Sequence, residues 1–246
     1  MNVSAIKTHK ITTRDTDILR VLDQYIHDLS ERSVVAIASK IVSLCEGSVV
    51  SKENTTKEEL VEKEADMYIP SQENPYGFHI TIKNGIMVAS AGIDESNGNG
   101  SFVLWPKDPQ KSVNLIRKHL RDTFELKELG VIITDSKTSP LRWGVTGIAI
   151  AYSGIAPLYS YVDRPDVFGR KMRVEKLNIL DCLATASVLV TGEGEEQTPI
   201  AVIRDIPHAS FRDQDPTEEE IEHLKISLDE DIYAPLLKNA SWKKNT

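Results

Sequence analysis

The sequence contains only two cysteines, Cys45 and Cys182, among its 246 residues. Two thiols are too few for the disulfide framework of a small secreted domain or for a zinc site built from four thiolates. The length and the 40% of hydrophobic residues instead allow a large buried core, in one sizeable domain or two small ones. We therefore expect a protein of a reducing compartment that is stabilised by apolar packing.

The chain also lacks a basic excess and a long apolar segment. Acidic residues number 37 against 29 basic ones, whereas proteins that bind nucleic acid usually carry a basic stripe. No apolar run approaches the length that crosses a bilayer, and none near the N-terminus resembles a secretion signal. We expect a cytoplasmic protein that binds neither nucleic acid nor a membrane.

Four motifs that often reveal an enzyme's chemistry are missing. The sequence contains no G-x-x-x-x-G-K-[ST] phosphate-binding loop (P-loop) and no G-x-G-x-x-G dinucleotide fingerprint. It has neither an H-E-x-x-H zinc helix nor a G-x-S-x-G nucleophile elbow, and its six histidines show no ligand spacing. Any nucleotide or metal must therefore be bound by other means.

Hydrophobic periodicity predicts helices and strands that mix without strict alternation. In residues 78–89, alternating apolar side chains lead to Asn84-Gly85, which is typical of a hairpin with a type I′ turn. Helices are predicted in "DTDILRVLDQYIHDL", "TKEELVEKEADMYI", "DPQKSVNLIRKHLRDTF" and "VEKLNILDCLATASVLVTGEG". "SVVAIASKIVS" predicts a buried strand leading into a turn, and "LGVIIT" one that ends at Asp135-Ser136. These patterns favour an α+β fold with mixed or antiparallel sheets and flanking helices.

Acidic side chains follow several of these elements. Asp94 lies in the loop "AGIDESNGNG" after the hairpin, Asp135 and Ser136 end a strand, and Glu193 stands between two glycines after a helix. Carboxylate and hydroxyl oxygens suit Mg²⁺ or Mn²⁺, which leave coordination positions for phosphate oxygens. Each acid taken singly is more typical of a turn or a helix cap, so the residues alone leave both interpretations open.

Basic residues near these acids indicate an anion site. Arg142 and Arg170 offer planar guanidinium groups that match phosphate or carboxylate. In "ASKIVSLCEG", Ser39 and Lys40 combine a hydroxyl and an ammonium with the backbone of the predicted turn. Surface salt bridges and an exposed turn explain the same residues without a ligand, and that alternative also stays open.

Five segments, taken in order, resemble motifs of the coenzyme F-420:L-glutamate ligase (gamma-glutamyl ligase) family. The family shows a "TSKIVSKAEG"-like segment, an "aGiDxSN" loop, an "SDt-x-G-r-p-x-R-x-G" stretch, a "PL-x-x-x-x-x-x-D-x-FGR" stretch and a "mGe" turn. This chain has "ASKIVSLCEG", "AGIDESN", "ITDSKTSPLRWG", "PLYSYVDRPDVFGR" and "TGEGEEQTP" within residues 33–203. Each motif is weak alone, and the shared order of five makes the resemblance specific.

The resemblance implies a GTP-dependent acid–amino-acid ligase. GTP phosphorylates a carboxylate of the acceptor, and the amine of L-glutamate attacks the acyl phosphate to form an amide, with two Mg²⁺ or Mn²⁺ ions and potassium as a further candidate ion. The implied metal ligands are Asp94, Asp135, Ser136 and Glu193. The implied nucleotide contacts are Ser39, Lys40, Asn97, Gly192 and Gly194. Arg142 and Arg170 are the candidate catalytic residues that hold acceptor or glutamate carboxylates.

The resemblance also implies an intertwined homodimer of α+β subunits without a P-loop. The ligands that the resemblance implies for the protein are small molecules: an acceptor, L-glutamate and a nucleotide. We expect residues 1–246 to form one ligase unit with two interleaved subdomains, about 1–85 plus 195–246 and about 86–194.

Some positions depart from the family pattern. Leu44 stands where the family usually has Lys, and residues 9–12 replace a Gly-Leu-Pro-type turn as the candidate nucleotide wall. The implied metal set is intact while the substrate-side segments differ. This favours retained phosphoryl chemistry on a deazaflavin coenzyme F-420 precursor or a related phosphorylated or pterin-like acid. The alternative is a nucleotide-binding homologue without ligase activity, such as a sensor or an assembly partner.

Overall fold

The computed structural model of the protein describes residues 1–96 and 98–245. None of the helices in these two ranges is both long and apolar enough to cross a membrane. The helices are α1 Ile18–Tyr25, α2 Ser39–Glu46, α3 Lys57–Glu64, α4 Pro109–Phe124, α5 Ile179–Thr191, α6 Glu218–Glu222 and α7 Ala234–Leu237. The strands are β1 Asn2–Ile6, β2 Ser33–Ala38, β3 Val49–Ser51, β4 Met67–Ile69, β5 Ile80–Lys83, β6 Ile86–Ala89, β7 Ser101–Val103, β8 Leu129–Thr138, β9 Val145–Ser153, β10 Leu158–Ser160, β11 Lys176–Asn178, β12 Ile200–Arg204 and β13 Lys243–Lys244.

A mixed five-stranded sheet with the order β1-β12-β2-β8-β9 organises the fold. Strands β2 and β8 run parallel, and the other neighbours in this sheet run antiparallel. The predicted α+β class with mixed and antiparallel sheets is confirmed. The sheet joins strands from both of the predicted subdomains, and the subdomain division stays a prediction.

Both faces of this sheet are buried under helices, which gives three layers. Side chains alternate along β2, so Val35 and Ile37 pack with α1, α2 and α4, while Val34 and Ala36 face α5. Both faces are apolar because each is buried away from water. Burial of each large apolar side chain stabilises the folded state by about 1.5–3 kcal/mol. The resulting core holds the sheet edges in fixed positions for polar residues.

A smaller set of strands lies beside the main sheet. The order β13-β4-β5-β6 forms an antiparallel sheet, and β3 pairs with β7. The predicted hairpin is confirmed, because Asn84 and Gly85 have φ values of 53° and 75°, as a type I′ turn requires. The capping box of α3 is also present, with Thr56 and Glu59 bonding each other's backbone N–H groups.

Two predicted boundaries were wrong, and both corrections move site residues. Ser39 and Lys40 begin helix α2 and do not lie in a turn. The β-branched residues that follow favour a strand locally, but packing of α2 against the sheet overrides that preference. Asp135 and Ser136 lie inside β8, which passes a register shift between Ile133 and Thr134 and continues to Thr138.

Candidate functional site

A cavity of about 360 Å³ opens where the parallel strands β2 and β8 lie side by side. Ala38 is in register with Thr134, so the residues that follow on each strand reach the same edge of the sheet. Ligands in open α/β sheets commonly bind at the carboxyl ends of parallel strands. The lining combines this edge with residues 8–11, with the last residue of α5, Thr191, and with residues 192–199 after it.

The first turn of α2 forms one wall of the cavity. The helix begins at Ser39, and the preceding Ala38 supplies no side-chain hydrogen bond to the first turn. Helix N-termini present backbone N–H groups and a partial positive charge, which together favour anions. Lys40 adds an ammonium group whose side chain is only 27% exposed. This wall suits phosphate oxygens.

Asp94 faces this wall from the loop that follows the hairpin. Its backbone is fixed by two hydrogen bonds with Val103, at 2.9 and 2.7 Å. Its carboxylate pairs with the Lys40 ammonium and accepts from the Ser96 backbone N–H at 2.7 Å and the Ser96 hydroxyl at 3.0 Å. Burial raises the pKa of Asp94, but Lys40 and Ser96 outweigh that effect and lower it below the ordinary value. Asp94 is therefore ionised at neutral pH.

Asp135 enters the cavity from β8. Its Oδ1 accepts the Ser136 backbone N–H at 2.8 Å, and its Oδ2 accepts the indole N–H of Trp105. Burial raises the pKa of Asp135 to about 6, and the negative charges of Asp94 and Glu193 add to the rise against these hydrogen bonds. The carboxylate charge is thus held where a cation would stabilise it.

The glycine turn after α5 brings in the third acid. Gly192 ends the helix with φ 72°, and a Cβ at this position would come within 2.5 Å of the Glu196 carboxylate. Glu193 Oε1 accepts the Ser136 hydroxyl at 2.7 Å, which ties the turn to β8. The Gly194 N–H donates to Glu196 at 2.8 Å. Gly192 combines φ 72° with ψ 179°, which is a backbone conformation that essentially only glycine adopts, so the turn requires glycine at position 192.

The charges in the lining favour a cation. The lining contributes two ammonium groups, from Lys10 and Lys40. It contributes five carboxylates, from Asp94, Asp135, Glu193, Glu195 and Glu196. Within residues 1–96 and 98–245, no three His, Cys, Asp or Glu side chains already converge as a formed metal site. The donors therefore have the chemistry that Mg²⁺ or Mn²⁺ prefers, and binding requires side chains to turn, Asp94 away from Lys40 first.

The other predicted residues fall into two groups. Arg142 lies between β8 and β9 and Arg170 between β10 and β11; both are exposed and neither lines the cavity. Their predicted contact with carboxylates stays a prediction. Asn97, the predicted nucleotide contact in the loop, lies outside the described residues.

Sequence reasoning missed part of the site. Trp105 reaches Asp135 across 30 residues of chain, and no spacing rule connects the two. Glu196 follows the "mGe" turn and also lines the cavity. The acidic run "GEGEEQ" is the sequence signal that could have indicated it. Of residues 9–12, predicted as a nucleotide wall, residues 9–11 line the cavity and Thr12 does not, while Leu44 also lines it. Their roles in binding stay predictions.

Comparison with protein families matches residues 5–205 to the family described as F420-0:gamma-glutamyl ligase. A protein named coenzyme F420:L-glutamate ligase from Methanopyrus kandleri is 33% identical over 195 residues, covering 72% of this chain and 76% of that protein. One of the same name from Methanocaldococcus jannaschii is 32% identical over 218 residues, covering 79% and 86%. Another from Methanococcus maripaludis is 34% identical over 196 residues, covering 74% and 79%. The matched range includes the whole cavity lining, and the chain belongs to the F420-0:gamma-glutamyl ligase family.

Proposed function

We propose that the protein joins L-glutamate to a carboxylate acceptor through an acyl phosphate, with GTP and two divalent ions. Membership of a glutamyl ligase family supports the amide-forming reaction. The observation that carries the finer proposal is the cavity in which the first turn of α2 faces the carboxylates of Asp94, Asp135 and Glu193. One wall suits a polyphosphate, and the opposite wall suits the cations that accompany it.

The nucleotide phosphates would lie against the start of α2. Backbone N–H groups of the first turn and the Ser39 hydroxyl donate to phosphate oxygens, while Lys40 contributes a point charge. The turn at Gly192 and Gly194 lets the main chain come close to the ligand, since neither residue carries a side chain. This arrangement needs no P-loop.

The residues that would hold the divalent ions are Asp94, Asp135, Ser136 and Glu193, with potassium as a further candidate ion. When bound, such ions neutralise the charge that develops on the transferred phosphoryl group. Without cations, a triphosphate would meet an acidic lining that repels it. The chain's own part is to fix these oxygens on β8, on the loop after β6 and on the turn after α5, so that the phosphate and the acceptor carboxylate meet in one orientation.

The acceptor is proposed to be a deazaflavin coenzyme F-420 precursor or a related phosphorylated or pterin-like acid. Ile11, Ile41 and Leu44 give the cavity an apolar section, which accommodates a planar ring and keeps water away from an acyl phosphate. The names of the relatives support the deazaflavin option for the acceptor.

We also propose a homodimer. Leu141, Trp143 and Phe168 lie on the β8–β9 and β10–β11 connections and are 104%, 90% and 93% exposed, respectively. Apolar side chains this exposed favour burial against a partner. Arg142 and Arg170 lie on the same two connections, so a second copy would bring them toward carboxylate ligands.

The dimer is tested by analytical ultracentrifugation. The combined change Trp143→Ser and Phe168→Ser is expected to halve the sedimenting mass, whereas Ile232→Ser, which removes a side chain that is 86% exposed elsewhere, leaves it unchanged. A monomeric wild-type protein, or a dimer that survives the double change, would contradict the proposed interface.

Ligase activity is tested by mass spectrometry of reactions that contain GTP or ATP, Mn²⁺, glutamate and a panel of acceptors. The panel holds deazaflavin precursors and folates, and the expected product is one acceptor that gains a glutamyl group. Asp94→Ala and Asp135→Ala are expected to abolish nucleotide-dependent phosphate release while the protein stays folded. Near-normal turnover in either variant would refute the assigned metal ligands.

The alternative is a nucleotide-binding homologue without ligase activity. Leu44 motivates it, because an apolar residue lines the cavity where the family usually has an ammonium group. Tight GTP binding with no glutamylated product from any acceptor, under saturating Mn²⁺ and glutamate, would establish the alternative and overturn the ligase proposal.

A further inference from the structure

We propose that Trp105 is a positioning residue for Asp135 and that Gly92 is the residue that admits its indole ring. Trp105 does not line the cavity, so it acts through the carboxylate that it contacts. The inference rests on the proposed function, because it concerns how Asp135 presents oxygen atoms to a divalent ion.

The hydrogen bonds of Asp135 show how its carboxylate is fixed. Trp105 donates its indole N–H to Oδ2, while the Ser136 backbone N–H donates to Oδ1 at 2.8 Å. Each oxygen therefore has one protein donor and keeps a second lone pair for a ligand. Rotation of the carboxylate would break one or both bonds, so its orientation is set before any ion arrives.

The indole ring can reach Asp135 only because residue 92 is glycine. A Cβ on Gly92 would lie 2.1 Å from the Trp105 Nε1 and 2.4 Å from Cε2, far inside any allowed contact. Gly92 has φ 69°, and the preceding Ser90 and Ala91 also have positive φ values of 51° and 52°. Two residues with side chains in this region cost energy, and such strain persists where the surroundings require it. Here the strained turn carries the backbone over the indole ring.

The ring is also fixed from another side. Trp105 is only 4% exposed, and the Lys83 ammonium lies 5.6 Å from the ring centroid, within the range of a cation–π contact. Lys83 is buried and paired with Glu64 at 2.8 Å, so this cation is itself held in place. A buried indole with contacts on both its ring and its N–H is held in one orientation. Its hydrogen bond then fixes the orientation of the Asp135 carboxylate.

The hydrogen bond is tested first in the metal-free protein. Trp105, Trp143 and Trp242 are the three tryptophans of the sequence, so three indole N–H resonances are expected in a nitrogen–proton correlation spectrum. Trp105→Phe identifies its resonance by deletion. Asp135→Asn is then expected to move that resonance while those of Trp143 and Trp242 stay in place. If the indole resonance of Trp105 stays at the same chemical shift in Asp135→Asn, the inference is overturned.

The consequence for cation binding is tested with Mn²⁺ alone and with Mn²⁺ plus GDP, by electron paramagnetic resonance of the free ion. Trp105→Phe keeps a buried aromatic ring and removes the N–H donor, and we expect it to weaken Mn²⁺ binding by about 10-fold to 100-fold. Gly92→Ala should do the same by displacing the ring.

Gly77→Ala is the matched control for Gly92→Ala. Gly77 has φ 68°, almost the value of Gly92, and a Cβ there meets nothing within 4 Å. Gly77→Ala therefore places an alanine at a similar positive φ without the clash, and we expect this variant to bind Mn²⁺ as tightly as the wild type does. Wild-type affinity in Trp105→Phe overturns the positioning role. A wild-type protein that binds no Mn²⁺ contradicts the proposed function instead, and the indole resonance still decides whether Trp105 holds Asp135.

Discussion

Replacing Asp135 with asparagine should stabilise the metal-free protein and remove its response to divalent ions. The side chain keeps its size, and the charge that burial disfavours is lost. Burial raises the pKa of Asp135 from 3.8 to about 6, so the folded state holds a proton more tightly than the unfolded chain does. Between these two values the unfolded chain loses that proton first. Stability therefore falls as pH rises through this window, and the full penalty remains above about pH 6.

The magnitude follows from the two pKa values. At about 1.4 kcal/mol for each pKa unit, ionised Asp135 costs the folded protein about 3 kcal/mol at neutral pH. Asparagine has one oxygen for the two donors Trp105 and Ser136, so one donor loses its acceptor at a cost of about 1–2 kcal/mol. The net gain of Asp135→Asn is about 1–2 kcal/mol at pH 8, or roughly 2–8 °C in unfolding temperature for a chain of this size.

Differential scanning calorimetry in the presence of a chelator, at pH 8 and pH 4.5, measures this gain. We expect Asp135→Asn to unfold at a higher temperature than the wild type at pH 8, and the advantage to shrink or reverse at pH 4.5. Saturating Mn²⁺ at pH 8 should reverse this order, so that the wild type unfolds at the higher temperature. An ion at 100 times its dissociation constant stabilises the wild type by about 2.7 kcal/mol. Asp229→Asn, which removes an exposed carboxylate outside the cavity, is the control for the loss of one negative charge. A variant that is less stable at pH 8 without metal would refute the reasoning.

Four further changes test other parts of the structure. Lys40→Met removes the ammonium group beside the start of α2. Calorimetric titration should show that nucleotide binding is weakened by at least about tenfold. An unchanged affinity would count against a phosphate site at this helix start. Leu44→Lys introduces an ammonium into the cavity wall and should tighten triphosphate binding several-fold in the same assay, while it lowers the unfolding temperature because a 7% exposed position acquires a charge. Arg117→Ala should lower the free energy of unfolding by about 3–5 kcal/mol in urea denaturation, since the buried guanidinium holds Asp215 and three backbone carbonyls; a loss below about 1 kcal/mol would contradict this. Thr56→Ala should cost about 1 kcal/mol through loss of the cap of α3, and an unchanged urea midpoint would contradict that role.

Local chemistry explains the elements that could be predicted. The Asn84-Gly85 turn, the capping box of α3 and the Asp108 cap of α4 each depend on residues within a few positions of one another. Glycine stops a helix without steric cost, which predicts that α5 ends at Gly192 or Gly194, and the helix ends at Gly192. In these cases the nearest neighbours in sequence supply the deciding interactions.

Other predictions failed where distant contacts decide. The apolar periodic run around Cys182 predicts a buried position for this residue, but it lies on the exposed side of α5. Ser39 and Lys40 start a helix because α2 packs against the central sheet, which their neighbours' strand propensity could not indicate.

The sequence alone determined which chemical groups are available: hard oxygen ligands, a few cations, flexible glycines, and motifs in an order shared with a ligase family. Only the tertiary structure decided that Asp94, Asp135 and Glu193 share one cavity with the start of α2, and that Trp105 stands behind Asp135. The physical reason is that local rules act over a few residues, whereas these groups are brought together by strand pairing and core packing between segments far apart in the chain.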